Sequence, residues 1–169
     1  MKKYLPILFF VLMMLAPASA FGQKSATTVV MNFYAKYAEL KIRGLPDGDQ
    51  LKTITPYFAN EVINKIKADL KTQDRFIKKH PDEKPPWNEG DLFSSLFEGA
   101  TAYKVGATRV TGSTAQVDVR LTNSEGTPKT SWTDTALLKK IGGHWVITNI
   151  LFKGKWQFKS GGSLLKALK

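Results

Sequence analysis

The spacing of apolar residues changes once along this chain, and that change constrains the fold more than any other feature. In the first half, Val30, Phe33 and Tyr37 recur at steps of three and four residues, the period of one face of an α-helix. In the second half, apolar side chains from Ala115 to Leu121 alternate with polar ones, the period of a strand buried on one face. Helices followed by antiparallel strands predict an α+β fold, in which N-terminal helices pack on one face of a curved four-stranded antiparallel sheet and share its core.

Turn-forming residues predict where these elements begin and end. Gly44 is expected to stop the first helix, because glycine accepts the left-handed cap conformation. A short helical turn covers residues 51–58, and Asn60 is expected to cap a longer helix that ends at His80, before a proline. A proline-rich loop over 81–90 leads to strands over 101–111, 115–122, 131–141 and 144–152, and then to a short helical segment over 163–168.

The N-terminus has the three parts of a secretory signal peptide. Two lysines supply the positive charge, residues 4–15 form an apolar run, and Ala18-Ser19-Ala20 fits the small-residue cleavage pattern. A membrane anchor is the alternative, but the run is shorter than the roughly 20 residues that a bilayer-spanning helix needs, and no later stretch is apolar enough to span. The sequence therefore predicts a cleaved signal peptide over residues 1–20 and a single domain over 21–169, exported to the periplasm or secreted.

The chain is strongly basic, with a formal net charge of +11, of which the two lysines of the signal supply two. A basic exported protein can bind anionic lipid headgroups, acidic envelope polymers or an acidic protein partner, whereas export makes nucleic acid a poor candidate. Solubility alone is the other interpretation. The C-terminal residues 151–169 interleave lysines with aromatic and leucine side chains and carry no acid. They either contact an anionic surface or seal the open end of the domain with their apolar residues.

Two residue counts exclude whole classes of site. The chain has no cysteine, which excludes disulfides, thiolate zinc sites, iron–sulfur clusters, a cysteine nucleophile and a lipid-modified cysteine. It has two histidines, His80 and His144, so a histidine-rich metal site is impossible. No glycine loop has the spacing of a phosphate or dinucleotide site. The sequence therefore predicts neither a metal nor a cofactor.

Residues 87–99 have the highest density of polar and aromatic side chains suited to chemistry. The candidate binding residues there are Trp87, Asp91, Ser94, Ser95 and Glu98. In the functional interpretation, they line a polar pocket rimmed by Trp87 and Phe93. In the structural interpretation, Asp91 caps a short helix and Ser94 satisfies its end, while the apolar residues between them belong to the core. Those apolar residues are Leu92, Phe93, Leu96 and Phe97.

Trp132 and Asp134 begin the third predicted strand and complete the set of candidate binding residues. Because side chains alternate along a strand, the two project from the same face. If that face points at the helices, Asp134 is a partly buried carboxylate at the mouth of a cavity; if it points outward, Asp134 is an ordinary edge charge. Paired with Asp91 or Glu98, it would resemble the two carboxylates of a hydrolase, whose separation the sequence does not define.

Short motifs of aromatic, glycine and acidic residues are spread over the predicted mature chain. They are Phe33-Tyr34-Ala35-Lys36-Tyr37, Gly44-Leu45-Pro46, Pro85-Pro86-Trp87, Gly90-Asp91-Leu92-Phe93-Ser94-Ser95, Glu98-Gly99, Trp132-x-Asp134, Gly142-Gly143-x-Trp145 and Gly154-x-Trp156-x-Phe158. In combination they resemble an exported bacterial family, domain of unknown function 3828, which is similar to the nuclear transport factor 2-like (cystatin-like) superfamily. The resemblance implies helices wrapped by a strongly curved antiparallel sheet around a conical cavity. It carries over no catalytic residue.

Two functions remain open at this point. The leading hypothesis is a non-catalytic envelope protein that binds a protein partner or small ligand at its cavity mouth, with the Trp87 loop, Asp91 and the basic tail as contacts. An immunity-type inhibitor of a secreted toxin and an accessory factor of an envelope complex are two versions. The alternative is a small cavity-type enzyme, a hydrolase or isomerase, with Asp91, Glu98 or Asp134 as general base. An enzyme needs a desolvated acid or base in a closed pocket, whereas a binding protein needs only an exposed aromatic and charged rim.

Overall fold

The computed structural model describes residues 24–156 and 162–168. Its elements in chain order are α1 (Ala26–Leu40), α2 (Gly48–Ile54), a 3-10 turn (Thr55–Tyr57), α3 (Asn60–Lys79), β1 (Ala102–Thr111), β2 (Thr114–Asn123), β3 (Thr130–Ile141), β4 (His144–Leu151) and α4 (Leu164–Ala167). Helices precede strands as predicted, and each strand end lies within one residue of its predicted position. The α+β fold class is therefore confirmed.

The four strands form an antiparallel meander in the order β1-β2-β3-β4. Two-residue turns at 112–113 and 142–143 join β1 to β2 and β3 to β4. The pairing register shifts between Val105 and Thr108 in β1 and between Leu137 and Leu138 in β3. Irregularities of this kind bend a strand and increase its twist, which is the local geometry that a curved sheet requires.

The helices and the sheet share one core. Phe33 of α1 and Val119 of β2 are both fully buried and belong to one cluster of buried side chains, as their two periodicities predict. The ring centroid of Phe33 lies 4.7 Å from that of Phe58 and 5.3 Å from that of Phe93. These edge-to-face contacts are a favourable arrangement for aromatic rings. The sequence motif Phe33-x-x-x-Tyr37 therefore serves to pack α1 inward.

The end of the first helix differs from the prediction. The left-handed residue that closes α1 is Lys41 (φ 47°), whose N–H donates to the Tyr37 carbonyl at 3.2 Å. Gly44 (φ 67°) lies in the following loop, where its N–H donates to the Gly90 carbonyl at 2.8 Å. A side chain at Gly44 would place its Cβ 2.0 Å from the Trp87 carbonyl oxygen. Close packing of two loops, and not helix capping, therefore requires this glycine.

The start of the third helix also differs from the prediction. Ala59 is its N-cap and makes no side-chain capping bond, and Asn60 is already the first helical residue. Phe58 forms a parallel bridge with Ile147 of β4, and the Ala59 N–H donates to the Ile147 carbonyl at 2.9 Å. Contact with an edge strand therefore sets the start of α3. The helix ends before His80, the residue that precedes a proline, as predicted.

The C-terminal tail supports the sealing interpretation where the structure describes it. Phe152, Leu164 and Leu168 are buried in the shared core, whereas the lysines at positions 153, 155 and 166 are exposed. The remaining tail residues of the prediction, 157–161 and 169, lie outside the described residues, as does the predicted signal peptide over 1–20. Within residues 24–156 and 162–168, no helix combines the length and apolar character needed to cross a membrane.

Candidate functional site

Asp91 begins an irregular loop over residues 91–99, where the structural interpretation of the sequence placed a short helix. Its Oδ1 accepts the Phe93 N–H at 2.7 Å, so the side chain closes a turn with its own backbone in place of capping a helix. The Asp91 N–H donates to the Phe97 carbonyl at 2.9 Å, which closes the loop on itself. The expected helix cap is therefore wrong, and Asp91 lies buried inside a compact loop.

Tyr37, in the last turn of α1, holds this loop against the helix. Its hydroxyl donates to Asp91 Oδ2 and accepts the Ala100 N–H at 3.2 Å. Burial raises the pKa of the Tyr37 phenol well above its usual range, and the nearby Asp91 carboxylate raises it further. The phenol therefore keeps its proton at neutral pH and remains a donor to the carboxylate.

Asp134 lies on the face of β3 that points at the helices, together with Trp132. It is fully buried, more deeply than at the cavity mouth considered from the sequence. Its two carboxylate oxygens accept three N–H groups: from Ser95 at 2.8 Å, from Lys153 at 2.9 Å and from the Trp132 indole at 3.2 Å. The carboxylate thus joins the 91–99 loop, β3 and the segment after β4 at one point.

Ser94 and Ser95 bond to the backbone. Ser94 Oγ accepts the Leu96 N–H at 3.2 Å, and Ser95 Oγ accepts the Gly154 N–H at 3.2 Å. A side chain on Gly154 would place its Cβ 2.4 Å from Ser95 Oγ, so this approach of two segments is possible only with glycine. Both serines are buried, and no hydrogen bond within the described residues joins either to a histidine. This arrangement provides no base for serine catalysis.

Trp87 is half-buried and connects the proline-rich loop to the C-terminal helix. Its indole N–H donates to the Ala167 carbonyl at 3.1 Å, and its own carbonyl accepts the Leu45 N–H at 3.3 Å. The ring packs against the core cluster. These contacts favour a structural role for Trp87 over that of a freely exposed binding residue.

Six residues therefore form what we call the buried polar cluster: Tyr37, Asp91, Ser94, Ser95, Trp132 and Asp134. Their hydrogen bonds attach the 91–99 loop to α1, to β3 and to the segment after β4. In the part of the chain that the structure describes, no three acidic or histidine side chains are grouped as a metal ion requires. The cluster positions a loop, and the other side of that loop is exposed to solvent.

The exposed side of the loop borders a surface groove. Three adjoining depressions of about 420, 350 and 450 Å³ form it. Arg43 and Glu98 each line two of them, and Glu125, from the β2–β3 loop, lines all three. Phe97, which was expected in the core, lies at this surface with 53% of its area exposed. We call this surface, with its four residues Arg43, Phe97, Glu98 and Glu125, the loop-end groove.

Hydrogen bonds between the loops give the groove a defined shape. The side-chain amide of Asn123 donates to the Gly99 carbonyl at 2.8 Å, and its oxygen accepts the Glu125 N–H at 2.9 Å. From the other side, the Arg43 guanidinium donates to the Glu98 carbonyl. Three separate segments are thus joined to one another by hydrogen bonds.

Of the seven residues predicted as a site, only Glu98 is exposed in this groove. Arg43, Phe97 and Glu125 were not among the residues predicted from the sequence to form a site. Glu125 lies in the loop between the predicted strands over 115–122 and 131–141, and a charged residue in such a loop was a usable signal. No sequence signal indicated that Phe97 is exposed. Its spacing of four residues from Phe93 is typical of one helix face, and that helix does not form. No ion pair among the described residues involves Glu98 or Glu125.

No family model and no curated protein matches the sequence. The chain is similar in structure to a SEC-C motif containing protein from Rhodopseudomonas palustris, with 16% identity and a TM-score of 0.44 over 75% of this chain and 79% of that chain. It is also similar to a chain in two crystal structures of the type VI effector–immunity complex Tae3–Tai3 from Ralstonia pickettii. These share 18% identity with it at TM-scores of 0.48 and 0.46, covering 79% and 80% of this chain and 100% of that chain.

Proposed function

We propose that this protein is an exported, non-catalytic binding module that recognises a protein partner through the loop-end groove. The proposal rests on the contrast between two buried and two exposed carboxylates. The carboxylates of Asp91 and Asp134 are buried and bonded to donors of the chain itself, whereas those of Glu98 and Glu125 face solvent beside the exposed ring of Phe97. The buried groups hold the scaffold, and the exposed groups are the ones that a partner can reach.

The chemistry of the groove favours a partner that presents a lysine or arginine side chain. A cation can lie over the face of an aromatic ring while it pairs with a carboxylate, and Phe97, Glu98 and Glu125 offer both contacts around one groove. The protein as a whole is basic, so a basic partner is attracted only where these carboxylates outweigh the surrounding charge. Such local complementarity gives specificity more than raw affinity.

An immunity-type inhibitor of a secreted toxin and an accessory factor of an envelope complex are the two forms of this function that we propose. The alternative, a cavity-type enzyme, requires a carboxylate that is free to accept a proton from substrate. Asp134 would first have to release three N–H donors, and Asp91 the Tyr37 hydroxyl and the Phe93 N–H. A small-molecule ligand in the same groove is the second alternative.

Removing the ring of Phe97 should weaken partner binding without loss of stability. We expect Phe97→Ala, and separately Glu98→Lys with Glu125→Lys, to reduce affinity for the natural partner by about tenfold or more, the size of losing about 1.4 kcal/mol. The partner is captured from the envelope fraction on immobilised wild-type protein, identified, and titrated against each variant. Asp49→Lys with Asp82→Lys makes the same charge change at exposed positions outside the groove and should leave affinity unchanged.

Trp87→Ala should affect stability and not binding, the opposite of Phe97→Ala. We expect it to lower the free energy of unfolding by about 2 kcal/mol, because it removes a half-buried ring, and the melting temperature by roughly 4–8 °C. Binding should persist at temperatures where the variant is folded. If instead Trp87→Ala abolishes binding at full stability while Phe97→Ala has no effect, the partner site is on the proline-rich loop and the groove assignment is incorrect.

Export is part of the proposal, and it predicts a defined mature chain. The protein recovered from the envelope fraction should begin within about two residues of Phe21, since cleavage follows the small-residue pattern Ala18-Ser19-Ala20. Intact-mass measurement of the protein purified from that fraction identifies its first residue. A mass that still includes residues 1–20 would contradict cleavage of a signal peptide.

A further inference from the structure

The exposed side of α3 carries a row of positive charge. The helix buries Val62 and Ile66, and cations project from the other side at intervals of four, four and three residues. They are Lys67, Lys71, Arg75 and Lys78, all exposed. At 3.6 residues per turn, positions with these intervals lie on one face, and the row extends roughly 16 Å along the helix axis. Lys79 follows at its end.

None of these four cations forms an ion pair in the described residues, and the one acid on the same face, the exposed Asp74, leaves that face with a net charge of +3. The ion pairs found there involve other residues, and Arg75 instead donates to the Lys71 carbonyl at 3.3 Å and to Thr72 Oγ1 at 3.1 Å. Like charges four residues apart destabilise a helix slightly. The packing of the buried face therefore holds these charges in a row against their mutual repulsion, and an anionic surface would relieve it.

The row acts through charge alone. Ile77 is 44% exposed, but 11 residues after the buried Ile66 it lies on the core-facing side of the helix, about 100° from Lys78. The apolar face of α3 packs on the core, so any contact of the row with an anionic surface is electrostatic. A pocket-forming partner would need a concave shape, whereas this convex row matches a planar array of negative groups.

We infer that the basic face of α3 is a contact surface for anionic phospholipid headgroups. It is separate from the loop-end groove and does not depend on the proposed function. Lysine and arginine side chains near an anionic bilayer each strengthen binding on the order of fivefold. Four of them on one face therefore hold the domain at the bilayer reversibly, and the attraction weakens as salt shortens the screening length.

The test uses lipid vesicles and the mature chain. Wild-type protein should co-sediment with vesicles of phosphatidylcholine containing 30% phosphatidylglycerol and not with pure phosphatidylcholine vesicles, and raising the salt should release it. Replacing Lys67, Lys71, Arg75 and Lys78 together with glutamine should reduce the partition constant on the order of a hundredfold or more. Glutamine has nearly the helix propensity of lysine, and circular dichroism checks that α3 is intact.

A matched variant separates a local surface from overall charge. Lys104, Lys129, Lys139 and Lys140 are exposed and lie on the strands and the β2–β3 loop. Replacing these four with glutamine changes the net charge equally and should weaken vesicle binding much less. Equal loss in both variants, or no loss in the α3 variant, overturns the inference. Binding to polyglutamate with none to vesicles also overturns it, in favour of an acidic polymer as the partner.

Discussion

Substituting Asp134 with alanine is expected to lower the free energy of unfolding by about 3–5 kcal/mol, the usual effect of breaking a buried, fully bonded charge site. The loss follows from geometry: the N–H groups of Ser95, Lys153 and the Trp132 indole all donate to this carboxylate. Without it, two buried donors and one part-buried donor lose their acceptor, and the 91–99 loop loses its attachment to β3. Urea denaturation at pH 7, followed by tryptophan fluorescence, measures the change.

Asp118 on the outer face of the sheet is the matched control. Its carboxylate pairs with both terminal nitrogens of Arg109, at 3.0 and 2.9 Å, but Arg109 is exposed. Asp118→Ala should cost about 1–2 kcal/mol, because it breaks a partly solvated pair and removes the acceptor of the buried Thr135 hydroxyl, which donates to Asp118 Oδ1 at 2.8 Å. If Asp134→Ala costs no more than Asp118→Ala, the three N–H bonds do not hold the scaffold, and Asp134 becomes free for the role of general base.

The comparison of Asp134→Ala with Asp118→Ala depends on pH, because the stabilisation from Asp118 depends on pH. The hydrogen bonds from Arg109 hold the pKa of the Asp118 carboxyl below its usual value. The unfolded chain therefore binds this proton more tightly than the folded chain does. The stabilisation is present above the unfolded pKa and is lost as the pH falls through the lower folded value. At pH 7, above both values, the Asp118 carboxylate is charged and its full stabilisation is present.

Val119→Asp is expected to abolish cooperative unfolding altogether. Val119 is fully buried in β2, and its partner across the β2–β3 pair is Asp134. Residues directly opposite in an antiparallel pair share a face, with Cβ atoms about 5 Å apart. The new carboxylate would therefore lie beside an existing buried carboxylate whose donors are already engaged. An unpaired buried charge next to a like charge costs more than about 5 kcal/mol, which is comparable to the stability of a whole domain.

The neighbouring position supplies the control for this substitution. Arg120 is exposed on the opposite face of the same strand, so Arg120→Asp should change the free energy of unfolding by less than about 1 kcal/mol. Calorimetry distinguishes a sharp transition from its absence. A melting curve of Val119→Asp that matches wild type would mean that this face of β2 is solvated and that the shared core is wrongly described.

Most of the fold could be predicted from the local periodicity of apolar side chains. The alternation from Ala115 to Leu121 defined which face of β2 is buried, because a strand has only two faces and a period of two selects one. The same argument correctly placed Trp132 and Asp134 on one face of β3. Glycine and proline positions located the hairpin turns to within a residue, since these residues restrict the backbone locally. Such features depend on neighbours in sequence and can be read without the tertiary structure.

Residues 91–99 show where local reasoning failed. A helix there would have placed Phe93 and Phe97 on one apolar face, and the spacing of the two rings supports that prediction. The carboxylate of Asp91 instead bonds to the Phe93 N–H, and its N–H closes the loop on the Phe97 carbonyl. Short polar side chains compete with helical hydrogen bonds in this way. Whether the helix or the side-chain-bonded loop forms depends on the other contacts of this segment.

The sequence by itself determined the order of elements, the buried face of β2 and the absence of cysteine chemistry, because these follow from side-chain period and composition. Only the tertiary structure decided the roles of the polar residues. Asp134 accepts N–H groups from residues 39 and 19 positions away, and Asp91 meets a tyrosine 54 positions away. Whether a carboxylate is a buried scaffold group or an exposed binding group depends on which distant segments fold over it, and no local pattern encodes that.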